Sequence, residues 1–254
     1  MKTMLKPKYL PWAAALLGIA VCLLRGSLYA FFVDARGLLP ASHPVVFAMW
    51  ILTAVVALLG VLPVARLTGS EQYEDNFSAS LPGAVGHILL SAGILLTVLL
   101  HAPAMPGIVG QLWKLLGIAA APLLLYAGFS RAMGKKPFFL TYVVVSVFFA
   151  FHLVCHYRTW CSDPQLQNYV FAFTGTLGLM LLAYYHGAAC VGMGSRRMLL
   201  MSGLLAAYLC LGSLPNAQYL WLYLGGAIWS LTSLCHMEGM LSQNEKAGDD
   251  DASQ

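Results

Sequence analysis

The sequence predicts an all-α fold, a polytopic integral membrane bundle of about eight transmembrane helices, and two observations carry this prediction. Of the 254 residues, 59% are hydrophobic and 9% are charged, whereas soluble domains carry about 25% charged residues. Apolar runs of about 20 residues recur along the chain, and a helix of that length crosses about 30 Å of hydrocarbon. We therefore expect residues 1–240 to form a single transmembrane domain, followed by a disordered, acidic cytoplasmic tail at 241–254.

The first apolar run follows three lysines, as in a signal peptide, but it is too long for a signal core and lacks an A-x-A-like cleavage site. We therefore expect it to be retained as a span. Small residues at Gly117, Gly225 and Gly226 predict close helix contacts in the fourth and eighth spans. In chain order, the predicted spans are 9–33, 45–65, 84–101, 107–130, 138–157, 167–191, 198–214 and 219–240.

The positive charges orient these spans, because Lys and Arg concentrate in cytoplasmic loops. With the N-terminus inside, the outer loops hold only Arg36 and Arg158, while Arg25 and Lys114 fall inside spans. Both chain ends are therefore predicted to be cytoplasmic, in a multi-pass protein of a bacterial cell membrane. The remaining positive residues all lie on the inner side: Lys2, Lys6, Lys8, Arg66, Arg131, Lys135, Lys136, Arg196, Arg197 and Lys246.

A mostly basic set of residues lies toward the outer side: Arg25, Lys114, His152, His156 and Arg158. Charge inside a membrane is costly to bury, so it points to function. One interpretation is a binding site for an anion, an anionic lipid headgroup or a quinone carbonyl. The alternative is that the long side chains reach the outer interface and have no ligand.

The segment HLVCHYRTWCSDPQLQ, residues 152–167, concentrates polar chemistry between two spans. His152 and His156 are four residues apart and share a helix face, so they could hold a metal ion with Cys161 or Asp163. The alternative is a belt of polar groups at the interface. Cys155 and Cys161 could form a disulfide if they face an oxidising exterior.

Histidines of similar depth on different helices suggest axial ligands for a b-type haem. On the inner side, His87 could pair with His186 or His236. On the outer side, His101 could pair with His152 or His156.

The chain lacks a Gly-rich phosphate loop, HExxH, CxxC and G-x-S-x-G, and it has no basic patch for nucleic acid. The sequence therefore does not favour an enzyme, and we assign no cofactor. The first function predicted is transport or the handling of a lipid or anion, with membrane lipids and a small-molecule or lipid ligand as partners. The second is a redox membrane subunit that binds haem or quinone. The third is a membrane partner that docks a cytoplasmic protein through residues 67–83 and the tail. The alternative for residues 67–83 is a solvated turn of helix that carries Glu71, Glu74 and Asp75.

Several stretches carry a resemblance to a known family: YRTWCSDPQLQNYVF, AYYHGAACVGMGSRRMLL, DARGLLPASHP and LPGAVG. They resemble an uncharacterised family of multi-pass membrane proteins from anaerobic Gram-positive bacteria. The resemblance covers nearly the whole chain. It implies the polytopic architecture and no role for any residue.

Overall fold

The structure is a computed structural model that describes residues 9–33, 43–61, 71–101, 107–161, 165–215 and 217–237, without the side chains of 158–161 and 166–168. The predicted tail, 241–254, lies outside these ranges. Within them the only strand-like pairing is an antiparallel bridge between Phe77 and Met237, so the predicted all-α fold is confirmed. The helices of the described ranges are α1 (Leu10–Phe31), α2 (Pro44–Val61), α3 (Tyr73–Asn76), α4 (Leu81–His101), α5 (Ile108–Ala132), α6 (Phe139–Cys161), α7 (Leu166–Cys190), α8 (Arg196–Ser213) and α9 (Leu220–Cys235).

Six of these helices, α1, α2 and α4 to α7, are long and apolar enough to cross a membrane, so the chain is a helical membrane protein. The predicted count of about eight spans is corrected to about six. The reason is helix length for α9, which has 16 residues, and composition for α8, which is the least apolar of the long helices and begins with Arg196 and Arg197. The bacterial cell membrane and the cytoplasmic orientation stay predictions.

The long helices alternate in direction along the chain. For example, α4 and α9 run antiparallel, because Gly86 of α4 lies against Trp229 and Gly93 lies against Trp221. The start of α1 and the end of α9 consequently share one end of the bundle. We call this end the base and the opposite end the top. The base is the side that the positive charges predict to be cytoplasmic.

The two helices that fall short of a membrane span lie at the centre of the bundle. α8 packs against α1, α2, α7 and α9, and α9 packs chiefly against α4 and α8. Most side chains of α8 are therefore buried against protein. A helix surrounded by other helices does not have to be apolar toward lipid, which explains how α8 tolerates a less apolar composition.

The predicted close contacts at small residues are confirmed. A Cβ atom on Gly225 would lie 2.8 Å from the carbonyl oxygen of Leu89, and one on Gly226 would lie 2.6 Å from a methyl group of Leu179. In the fourth predicted span, Gly117 packs against Val98 and Phe148. Since no hydrophobic effect drives helices together in lipid, such close packing contributes directly to their association.

Residues 71–80, which include α3, fold back onto the base of the bundle, and we call this segment the base plug. Tyr73 and Phe77 are buried, whereas Glu74 is exposed. The predicted solvated helix turn therefore occurs, but its opposite face is part of the core. Backbone hydrogen bonds fix the plug: the Gly194 N–H donates to Glu71 at 3.2 Å, and the Ser80 N–H donates to Arg131 at 3.2 Å.

Candidate functional site

Four helices bring polar aromatic side chains together beneath the base plug. His87 of α4, Tyr142 of α6, His186 of α7 and Trp229 of α9 are each at most 2% exposed, and we call them the base cluster. The His186 ring centroid lies 5.1 Å from that of Tyr142, 5.2 Å from that of Trp229 and 6.4 Å from that of His87. The predicted inner pair, His87 and His186, thus does meet.

Hydrogen bonds fix how the two histidines can act. Nδ1 of His87 lies 2.8 Å from the carbonyl oxygen of Gly83, which can only accept, so Nδ1 carries the hydrogen. In the neutral ring, Nε2 of His87 then accepts from the Tyr142 hydroxyl at 3.0 Å. Nδ1 of His186 likewise donates to the carbonyl of Leu182 at 2.8 Å. This leaves Nε2 of His186 as a hydrogen-bond acceptor.

The base cluster keeps unused hydrogen-bonding capacity. Nε1 of Trp229 is fully buried and, one helical turn further along α9, so is Oγ of Ser233. Neither atom has a hydrogen-bond partner in the part of the chain that the structure describes. Among the described residues, Nε2 of His186 makes no hydrogen bond either. Buried polar groups in native proteins are almost always paired. The cluster therefore offers a donor and an acceptor to a further group.

Arg131 and the base plug form a roof over this cluster. The Phe77 ring stacks on His186 with centroids 5.0 Å apart and an interplanar angle of 14°. The Arg131 guanidinium lies 4.4 Å from the Phe77 centroid, and its Nη2 donates to the carbonyl of His236 at 2.8 Å. Burial raises the pKa of the Tyr73 hydroxyl, against the opposing effect of Arg131, so this plug residue stays protonated. The roof separates the cluster from water at the base.

The base cluster does not fit the predicted haem. The rings of His87 and His186 are in contact, and their planes meet at 83°. Tyr142 already occupies Nε2 of His87, and Trp229 packs against both histidine rings. A porphyrin between the two histidines would have to displace these side chains. His236 joins through its backbone only, and its side chain is exposed.

A second group, the top cluster, forms at the opposite end from His101, Trp113, His152, His156 and Tyr219. His152 and His156 share a helix face as predicted, with ring centroids 4.2 Å apart. The Trp113 N–H donates to Nδ1 of His152 at 3.1 Å, and the Tyr219 hydroxyl is hydrogen-bonded to Nδ1 of His156 at 3.0 Å. Tyr219 lies between His101 and His156, with centroids 4.7 and 4.6 Å away, so this pair does not bracket a haem either.

The predicted metal site and disulfide are only partly described. The described residues contain no group of three or more His, Cys, Asp and Glu side chains that could hold a metal ion. The side chains of Arg158, Cys161 and Asp163 lie outside the description. The Cys155 thiol is free, and six residues of continuous helix place its Cα about 9 Å from that of Cys161. A bridge would require the last turn of α6 to unwind, and the pairing stays a prediction.

The structure does not bring Arg25 and Lys114 together. Arg25 is 2% exposed, and its Nη1 donates to the carbonyl of Gly212 at 2.8 Å. The rings of Tyr29 and Phe171 lie 5.4 and 5.2 Å from the guanidinium carbon. Lys114 is exposed on α5, which packs against α4 and α6 and not against α1. The exposed Lys114 side chain is therefore free to extend toward the membrane interface, whereas the Arg25 side chain is buried inside the protein.

Sequence reasoning missed the aromatic members of both clusters. Tyr142, Trp113 and Trp229 lie inside apolar runs, where they add to the hydrophobic count. A usable signal was present, since Trp and Tyr in spans usually lie at the interfaces. Trp229 lies six residues before the end of α9, and a deeply placed indole N–H needs a partner.

The chain matches no family model, no curated protein and no solved structure. The resemblance to membrane proteins of anaerobic Gram-positive bacteria therefore stays a prediction, and a function has to be argued from the two clusters.

Proposed function

We propose that this membrane protein binds a lipid-soluble quinone or quinol, with the head group at the base cluster. The observation that supports the proposal is the buried Trp229 N–H, which has no hydrogen-bond partner among the described residues and lies beside the His186 ring, with centroids 5.2 Å apart. A quinone carbonyl can accept from the indole N–H, and a quinol hydroxyl can donate to Nε2 of His186. Sites that combine an apolar wall with a few placed polar groups are typical of small-molecule binding.

A groove beside the cluster supplies a place for the apolar tail of such a ligand. It has a volume of about 380 Å³, lies between α6 and α7, and is lined by residues that include Val143, Tyr184 and Gly187. Both helices are long and apolar enough to cross a membrane, so the groove faces lipid. Val143 and Gly187 directly follow Tyr142 and His186 in the sequence, which places the groove next to the base cluster.

Glycine at position 187 keeps groove and cluster close. A Cβ atom there would lie 3.3 Å from Cβ of Tyr142, a distance that is tight for carbon atoms. A tail in the groove would therefore be separated from the cluster by little more than the Tyr142 ring. A head group would reach His186 if that ring rotated, at the cost of the hydrogen bond between the Tyr142 hydroxyl and His87.

The other predicted functions have less geometric support. Transport or anion handling through a joint site of Arg25 and Lys114 would need side chains from α1 and α5, and these two helices do not pack substantially against each other. Docking of a cytoplasmic protein stays a hypothesis, for which the exposed acids of the base plug, Glu71, Glu74 and Asp75, offer a surface. Electrons released by a bound quinol would have to pass to such a partner.

The test is calorimetric titration of purified protein in a neutral detergent with a short-chain naphthoquinol, kept reduced under anaerobic conditions, because its hydroxyl can donate to His186 and accept from the Trp229 N–H. We expect saturable binding that weakens about tenfold in His186→Leu and Trp229→Phe, because each loses one hydrogen bond worth about 1.4 kcal/mol. Trp221→Phe is the matched control, since that tryptophan is 45% exposed. His43→Leu is the control for histidine, because His43 lies at the top.

Partition that does not saturate, or equal affinities in all four variants, would contradict the proposal. A loss of binding in His156→Leu with unchanged affinity in His186→Leu would move the ligand to the top cluster.

A further inference from the structure

Arg196, the first residue of α8, is buried and has no neutralising partner among the described residues. It is 9% exposed, and its Nε and one of its terminal nitrogens, Nη2, are inaccessible and make no hydrogen bond. No described acid forms an ion pair with it. A buried charge without a partner is costly, and a guanidinium has five N–H groups arranged to bind carboxylate or phosphate oxygens.

The position of Arg196 adds a second attraction for an anion. α8 has 18 residues, and Ser195 caps it by accepting from the Met198 N–H at 3.5 Å. Arg196 belongs to the first turn of α8, whose N–H groups have no partner within the helix. These groups and the helix dipole favour negative charge.

The surroundings of this site are those of a membrane interface. The α7–α8 connection, residues 191–195, precedes α8 at the base, and its Met193 is 77% exposed. Arg197 is exposed next to Arg196. Glu71 of the base plug contacts this connection through its backbone carbonyl, which accepts from Gly194, and its side chain is exposed. Basic sites between helices at this level recognise anionic headgroups.

We propose that the N-terminus of α8 and the Arg196 guanidinium form a binding site for a phosphate group, supplied by an anionic phospholipid or by free phosphate. The site is separate from the base cluster and needs no quinone.

The experiment measures the melting temperature of purified protein in neutral detergent with added phosphatidylglycerol, phosphatidylcholine or inorganic phosphate. Arg196→Gln removes the charge at the site, and Arg197→Gln removes the charge of an exposed neighbour as the matched control. We expect phosphatidylglycerol to raise the melting temperature of the wild type and of Arg197→Gln by several degrees. Its half-maximal concentration should rise about tenfold or more in Arg196→Gln.

Stabilisation by inorganic phosphate with the same dependence on Arg196 would support the site and identify free phosphate as its source. Equal responses of the two variants, or equal stabilisation by phosphatidylcholine, would overturn the proposal.

A second measurement uses wild-type protein and therefore does not depend on the folding of a variant. Phenylglyoxal modifies arginine, and peptide mass spectrometry reports each position. Phosphatidylglycerol or phosphate should protect Arg196 and leave the modification of Arg197 unchanged. Equal modification of Arg196 with and without either anion would also overturn the proposal.

Discussion

The contact between α4 and α9 can be tested by adding one methyl group at Gly93. A Cβ atom there would overlap the carbonyl oxygen of Trp221 and lie 3.1 Å from its carbonyl carbon. These are backbone atoms, so they cannot rotate away, and the helices would have to separate by about 1 Å. Overpacking of this kind destabilises a protein by about 1–3 kcal/mol. The higher helix propensity of alanine relative to glycine stabilises it by about 0.5–1 kcal/mol. We expect Gly93→Ala to destabilise the protein by about 1–2 kcal/mol.

Gly60→Ala is the matched control. A Cβ atom at Gly60 would meet only Cγ of Met201 at 3.6 Å, which is an ordinary van der Waals contact. This variant keeps the gain in helix propensity without a clash and should be as stable as the wild type or slightly more stable. The assay is reversible unfolding in mixed micelles with increasing dodecyl sulfate. If Gly93→Ala proved as stable as Gly60→Ala, the tight contact of α4 with α9 would be refuted.

Two further predictions concern the base plug and the intramembrane charges. Phe77→Ala should cost about 3 kcal/mol, because the ring is buried between Arg131 and His186. It should also make His186 reactive toward diethyl pyrocarbonate, and continued protection would show that Phe77 is not part of the roof. Arg25→Leu should destabilise by about 1–3 kcal/mol through the lost hydrogen bond, and Lys114→Leu by less than about 0.5 kcal/mol. The double variant should be additive, and a coupling above about 0.5 kcal/mol would instead place the two charges in one site.

The sequence predicted those features that depend on neighbours along the chain. Span length and apolar composition are local, so the long helices occur where they were expected. Depth along a span is also local, and it placed His87 and His186 in one cluster and His101, His152 and His156 in the other. The span count was wrong at α8 and α9, since composition alone does not show that a helix is surrounded by protein.

Lateral order of the helices could not be predicted, because nothing in a single sequence states which apolar faces meet. Arg25 and Lys114 have similar depth, yet they lie on helices that do not pack together. The base plug shows the same difficulty on a smaller scale. Its exposed acids indicated a fully solvated turn, whereas Tyr73 and Phe77, four residues apart, form a buried face. Trp229 was passed over because an indole counts as apolar until its N–H is buried without a partner.

The central position of α8 has a consequence for how the chain is made. α1 and α2 pack against each other and against α8, with a smaller contact of α1 with α9. Synthesis proceeds from the N-terminus. The hairpin of α1 and α2 is therefore in the bilayer without its packing partners until α8 and α9 have been synthesised. Those two helices are also the least suited to enter lipid alone. The hairpin of α1 and α2 therefore provides part of the protein surface against which α8 and α9 pack. A chain truncated before α8 should leave this hairpin without its partner and susceptible to membrane proteases.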